Sequence, residues 1–391
     1  MLSLDKTRPV WIEVNLDHLA HNISEVKKVV KEGTLISGVV KADGYGHGSV
    51  EIAEILLQNG VDRLAVATLS EARVLRTHYP NTPIMVLGYT PEANAEEIIK
   101  NQIIQTVYSM DQAEAFSKKA VELDQDLLIH VKMDTGMSRL GFQPDTTSLK
   151  DIKKIAKLPK IIIEGIFTHF AVADEKDKAF TQQQYSKFMV ICEELEKEGV
   201  PIPIKHVSNS AAIIDLPSMN LNMVRAGIML YGLYPSEEVN QQQVRLKPIM
   251  SLKVKIAHIK DIESGIGISY GLKYTTSRIS QVATLPIGYA DGFTRMLSGK
   301  AEVLINGIRV PVVGRICMDQ CMIDVTGIDN LKRGDIVTIF GGDEKDSISV
   351  EEIAKKLGTI NYEVVCMMGK RIPRVYIREN KVVKIKDELI D

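Results

Sequence analysis

Cysteine is scarce in this sequence, and so is any surplus of charge, any long apolar run and any basic leader. Four cysteines (Cys192, Cys317, Cys321 and Cys366) are too few to staple a chain of 391 residues, which excludes a disulfide scaffold. Cys317 and Cys321 stand four apart with no histidine close in sequence, so core thiols are expected there and no metal site. Lys and Arg total 48 against 50 Asp and Glu, a formal charge of −2. A near-neutral chain has no field for gripping nucleic acid or an anionic membrane. Neither partner is expected, and any anionic ligand must be held by a few placed cations. No apolar stretch approaches the ~18 residues of a membrane helix. The opening MLSLDKTRPVWIEVNL lacks the basic-then-apolar order of a secretory signal, so reducing cytoplasm is the expected compartment.

What is present is ordinary globular material, 45% apolar and 25% charged, in a length that favours two domains. Up to about residue 235, short β-branched runs alternate with amphipathic stretches. The strand candidates are 35–40, 64–67, 84–87, 103–107, 127–132, 161–167, 204–207 and 223–225. Between them VEIAEILLQNG, SEARVLRTHY, AEEIIKN, DQAEAFSKKAVEL and YSKFMVICEELEKEG repeat apolar residues at helical spacing, with Gly60 or Gly199 as terminators. Eight such units, and no GxGxxG after the first strand, predict a (β/α)8 barrel over a doubly wound sheet. From about residue 245 short strands separated by Gly and Asn-Gly turns predict an all-β domain, interrupted by the helical VEEIAKKLG. The expected division is 1–240 for the barrel and 241–391 for the β domain. Strand 10–15 is expected to be able to pack on the latter, and YGLYPSEEVNQQQVRLKP is expected as the linker.

A barrel carries its chemistry where its strands end. Lys41 closes the first strand, with Tyr45 beyond it. The fifth strand ends at Lys132, followed by Arg139; the sixth runs to Thr168-His169; the seventh opens into Ser208-Asn209-Ser210; the eighth carries Arg225, then Gly227. A lysine leaving a buried strand is either a charge reaching solvent or, if shielded, a nucleophile and base of lowered pKa. His169 reads as a packed histidine or as a proton carrier, and Asp134 with Arg139 as a surface pair or as site residues. Asp43 and His47 read as loop caps. Lysine, an arginine suited to a ring nitrogen, and Gly, Ser and Tyr groups suited to phosphate together fit pyridoxal phosphate.

Nine segments then appear in a fixed order across both halves: VVKADGYGHG, KMDTGMSRLG, FTHFAVADE, HVSNSAA, VRAGIMLYGLYPS, GISYGLKYT, PIGYADGF, GRICMDQCMIDVT, and TINYEV followed by RIPRVY. In these the chain resembles bacterial alanine racemase, a pyridoxal-phosphate enzyme of fold type III. The resemblance implies that Lys41 is the Schiff-base lysine and the base for the D face of the substrate. Tyr270, from the second subunit of a homodimer, is implied as the base for the L face. Arg139 would meet the cofactor's phenolic oxygen and the substrate carboxylate. His169 would hold Arg225, which meets the pyridine nitrogen. Tyr45, Asn209, Ser210, Gly227, Ile228 and Tyr362 would surround the cofactor, mostly at its phosphate. Met318 would offer its N–H to the substrate carboxylate, with Asp319 beside it, and Lys132 would be open to carbamylation. Asp174, Tyr289, Arg295 and Arg315 would line the access corridor. The first motif departs from the family's common Lys-Ala-Asn-Ala-Tyr by Asp43 and Gly44, which puts a carboxylate two residues from Lys41 and is expected to loosen the loop.

The chemistry implied is interconversion of L- and D-alanine by two bases flanking Cα, supplying D-alanine for peptidoglycan. Lysine and tyrosine are both weak bases at reference pKa values near ~10, and cationic surroundings lower both. Serine as substrate, a fold-type-III decarboxylase and a barrel-only pyridoxal-phosphate carrier are the competing readings. CMDQ and ISYG argue against the last two.

Overall fold

The β-branched runs of the first half become parallel strands in the computed structural model, which describes residues 7–342 and 346–390. After β1 (Val10–Asn15) come β2 (Leu35–Val39), β3 (Arg63–Val66), β4 (Ile84–Val86), β5 (Ile104–Val107), β6 (Leu127–Lys132), β7 (Ile161–Phe167), β8 (Ile204–His206) and β9 (Met223–Ala226). The last eight form one sheet in the order β8-β7-β6-β5-β4-β3-β2-β9. Its two ends are drawn together by Asn222 N–H to Lys205 O and Arg225 N–H to Ser208 O, both 3.0 Å. The result is a nearly closed barrel. Strands covered on both faces need no polar alternation, and Leu64, Ala65 and Val66 have no exposed surface at all. Burying a side chain the size of Leu64 or Val66 contributes roughly 1.5–3 kcal/mol.

Helices occupy the connections. Leu69–His78 starts at Thr68, whose hydroxyl accepts from the Glu71 N–H while the Glu71 carboxylate accepts from the Thr68 N–H. Gly60 and Gly199 follow their helices at φ of 75° and 77°, the left-handed conformation that ends a helix without a Cβ penalty. Helices Leu16–Val29 and Thr146–Ile155 also form, beyond the helical patterns named from the sequence.

The chain divides into two compact units. One comprises Leu19–Gly44 and Gly48–Lys247; the other takes the described residues through His18, Tyr45–His47, and those from Pro248 on. The boundary thus falls at 247–248 rather than 240. The stretch 231–248 read as a linker from its polarity is bound down on the barrel unit through Lys247. Tyr231 donates its hydroxyl to Val39 O at 2.9 Å, Asn22 clamps the backbone of Lys247, and Glu25 accepts from the Arg245 N–H at 2.8 Å.

The second unit is strand-rich. Its strands are β10 (Met250–Lys255), β11 (His258–Ile262), β12 (Gly267–Ile268), β13 (Tyr274–Thr275), β14 (Ser280–Leu285), β15 (Glu302–Ile305), β16 (Ile308–Val313), β17 (Cys321–Asp324), β18 (Ile336–Gly342), β19 (Ser347–Ile348), β20 (Arg374–Arg378) and β21 (Lys381–Lys386). The main sheet runs β11-β14-β17-β16-β15-β18-β10-β1-β20-β21. N-terminal β1 lies inside it, antiparallel to β10 and parallel to β20. Among the described residues no helix is long and apolar enough to cross a membrane.

Candidate active site

Lys41 follows β2 and opens an unusual turn. Ala42, Asp43, Gly44 and Tyr45 all have left-handed backbones, with φ of 52°, 51°, 60° and 52°. For a residue with a Cβ this costs about 1–2 kcal/mol, so the surroundings must hold it. Gly44 N–H donates to Val40 O and Gly48 N–H to Asp43 O, each at 2.9 Å. Ala42 N–H reaches the Glu71 carboxylate at 2.6 Å. The Asp43 carboxylate accepts from the Ser49 N–H at 2.8 Å, capping the next helix. The loop that Asp43 and Gly44 were expected to loosen is therefore pinned at both ends, and strain of this kind points to function.

Across the same rim, the ends of β6, β7 and β9 place Lys132, His169 and Arg225. Arg225 is buried; its Nη2 donates to Thr168 O and Val207 O at 3.0 Å and to His169 Nδ1 at 3.3 Å. Burial, with Arg139 adding to it, lowers the Arg225 pKa to about 9, so it stays a cation at neutral pH. His169 is held well below the usual histidine range by burial and then by Arg225, Lys132, Arg139 and Lys41; it is neutral. Lys132 donates to Met133 O at 2.8 Å. Burial and the Arg225 charge lower its pKa to about 7, so about half of it is unprotonated near neutrality. Its Nζ lies 5.0 Å from the centre of the Phe167 ring, which also carries Arg225 at 5.4 Å. Arg139 is exposed. Asp134 is turned to the N–H groups of Gly136 and Ser138.

The loops after β8 and β9 form a small cradle. Asn209 caps the helix Ser210–Asp215 by accepting from Ala212 N–H at 3.1 Å. The Ser210 hydroxyl accepts from Gly227 N–H at 3.0 Å and Met229 N–H at 3.4 Å, while the N–H of Ile228 meets no acceptor among the described residues. Asp174 lies elsewhere in this unit, half-buried, its carbonyl taking the Ser236 hydroxyl at 2.5 Å.

Sequence reasoning missed a set of groups behind Arg225. His206, His130, Glu164 and Arg63 follow it in one hydrogen-bonded line. The available signal was polar residues inside otherwise apolar strands, which a buried sheet does not tolerate without partners.

The strand-rich unit holds the remaining predicted residues. Tyr270, 68% exposed, stands in a tight turn with Ser269 and Gly271 at φ of 66° and 71°. Together with Met318 and Asp319 it lines a hollow of about 620 Å³. The Arg315 guanidinium lies so close to Gly271 that a Cβ there would sit 3.2 Å from its Nη1. Asp319 accepts from Arg371 at 2.7 Å. Tyr289 is joined to this region by its N–H to Cys317 O at 3.0 Å, whereas Arg295 stands exposed in the turn Arg295–Leu297. Tyr45 and Tyr362 pair with ring centres 6.2 Å apart; burial, then Tyr362, raises the Tyr45 pKa, so its hydroxyl keeps its proton.

Residues 14–235 match the family described as "Alanine racemase, N-terminal domain" and residues 249–376 its C-terminal domain. An alanine racemase of Methanococcus maripaludis is 53% identical over 371 residues, covering 95% of this chain and 99% of that one. The solved alanine racemase of Clostridium difficile 630 superposes with a TM-score of 0.95 at 49% identity, covering 98% of this chain and 100% of that one. A structure of the same enzyme in complex with cycloserine gives 0.93 at 48% identity, with the same coverage.

Proposed function

The chain belongs to the alanine racemase family, amino-acid isomerases that interconvert L- and D-alanine, and we propose that it does so with pyridoxal phosphate and two opposed bases, Lys41 and Tyr270. The observation that carries this reading is the cationic rim of the barrel. Lys41, Lys132, Arg139 and Arg225 all press on neutral His169, while the nearby Asp134 carboxylate is turned to backbone N–H groups. Such a cluster fits an anionic ligand carrying phosphate and a phenolic oxygen. The Ser210–Gly227–Ile228 cradle fits the phosphate. Pyridoxal phosphate, when bound, supplies the electron withdrawal that makes the substrate Cα–H labile.

The chain's own groups do the rest. Lys41 anchors the cofactor and moves the Cα proton on the D face; Tyr270 of the partner subunit moves it on the L face. Such help is worth roughly 10²–10⁴-fold per group. Arg225 would donate to the cofactor's ring nitrogen while keeping its own proton. Arg139 and the Met318 N–H hold the substrate carboxylate beside Asp319, and a carbamate on Lys132 steadies Arg139. Asp174, Tyr289, Arg295 and Arg315 line the approach. Tyr270, Leu272 and Met318 expose 68%, 65% and 53% of their surfaces, which favours a homodimer in which a second copy covers them. The product supplies cell-wall synthesis in the cytoplasm.

The test is to incubate the purified protein and pyridoxal phosphate with L-alanine in deuterated water. D-alanine carrying deuterium at Cα should accumulate, and L-serine should exchange more slowly. No exchange with any amino acid would sink the reading.

A further inference from the structure

A line of hydrogen bonds crosses the interior of the barrel unit, and each proton in it has one allowed position. Arginine can only donate. Arg225 Nη1 therefore donates to His206 Nδ1 at 2.8 Å, which leaves the His206 proton on Nε2. That Nε2–H donates to His130 Nδ1 at 2.8 Å. His130 must then carry its own proton on Nε2, where it donates to Glu164 Oε2 at 2.8 Å. Arg63 Nη1 reaches the same oxygen at 2.6 Å. Both imidazoles are fully buried and held below the usual histidine range, in agreement with their neutral state.

The local structure is shaped for this line. Pairing of β6 with β7 runs Ile129 to Ile163 but His130 to Gly165, so Glu164 is an extra residue, and such bulges re-aim side chains. Gly165 leaves the room that the His130 ring fills: a Cβ there would stand 2.5 Å from its Cε1. Phe167 stacks on His206 with centres 4.7 Å apart and planes within 7°. Packing alone does not account for two arginines, two histidines and a glutamate inside a barrel, because apolar replacements for buried ionic groups are often neutral or stabilising.

We propose that Glu164 and His130 are positioning residues that act on Arg225 through His206, fixing its orientation and supplying the counter-charge that keeps it a full cation. The guanidinium is then tied by Nη1 and Nη2 to protein acceptors, with Nε–H meeting none among the described residues. That N–H and the second Nη1–H are the ones left for a bound group. This inference rests on the reading of Arg225 as the partner of the cofactor's ring nitrogen.

Two arms test it. Nitrogen-15 NMR of the histidine-labelled full chain, without cofactor, should show three rings, those of His130, His169 and His206, protonated on Nε2 and not titrating between about pH 5.5 and 8.5. In E164L and H130L the His206 ring signals should move. In the loaded protein the same changes should shift the cofactor absorbance and lower kcat by about tenfold, with KM within about twofold. H130Q keeps an acceptor and a donor in the same order and should restore most of the loss, which a merely structural role does not require. Should the leucine variants fail to fold, E164Q, which keeps the acceptor but loses the charge, should give the same changes at about threefold. His206 protonated on Nδ1, or variants that leave the ring signals, the absorbance and kcat at wild-type values, would overturn the proposal. Absence of any cofactor band in the wild type would instead defeat the functional reading, and the NMR arm would still decide the tautomers and their dependence on Glu164.

Discussion

Replacing Gly165 with alanine measures how tightly the barrel interior is filled around His130. The new Cβ would lie 2.5 Å from Cε1, 2.6 Å from Nδ1 and 2.8 Å from Nε2 of that ring, where ordinary contacts begin near 3.4 Å. In a core packed at crystal density the ring must retreat by roughly an ångström. It is not free to do so. Its two nitrogens are bonded at 2.8 Å to His206 and Glu164, and His206 stands edge-on at 5.0 Å. Overpacking costs about 1–3 kcal/mol, and a lost hydrogen bond to a carboxylate about 1.5–3 kcal/mol more. The expected destabilisation is about 3 kcal/mol, a fall in melting temperature of about 6–12 °C for a unit of this size. Calorimetric melts of wild type, G165A and G342A read it out. At Gly342 the added carbon meets nothing nearer than Ser347 Cβ at 3.6 Å, so that variant should stay within about 0.5 kcal/mol. A G165A protein melting within about 2 °C of wild type would refute the packing argument.

Burial alone would raise the Glu164 pKa, but hydrogen bonds from His130 and Arg63 outweigh it and bring it from 4.5 to about 2. This stabilisation is complete above pH 4.5 and disappears as pH falls toward 2. The stability gap between wild type and E164Q, about 2 kcal/mol after allowing for partial exposure, should therefore close in urea titrations between about pH 5 and 2; a constant gap contradicts it. Lys132, lowered to about 7, should take up carbon-13 bicarbonate to give one carbamate resonance at pH 8, and that resonance should vanish in K132Q. Mixing K41A with Y270F should restore about a quarter of wild-type activity, because half the dimers are hybrids with one intact site; no recovery would mean that each chain uses its own tyrosine.

The eight barrel strands were legible because a parallel sheet covered on both faces requires uninterrupted β-branched runs, and Ile161–Phe167 shows one almost without relief. Rim residues were legible for the same reason: Lys41, Lys132 and Arg225 interrupt apolar strands where their ends must fall. The left-handed turn Ala42–Tyr45 was not, since Ala42 and Asp43 have no intrinsic preference for it and tertiary bonds from Glu71 and Ser49 impose it. The line behind Arg225 depends on a one-residue register shift between β6 and β7, which local pattern does not encode. Polarity misled at 231–248, where buried Tyr231 and Val244 tie a hydrophilic stretch down.

Lys41 is the residue expected to hold the cofactor. Borohydride reduction of the protein loaded with pyridoxal phosphate, followed by proteolysis and mass spectrometry, locates the lysine that has become permanently joined to it. One modified peptide is expected, the one carrying Lys41, with loss of activity in step with the modification. A label on Lys132, or full activity after complete labelling of Lys41, would contradict it.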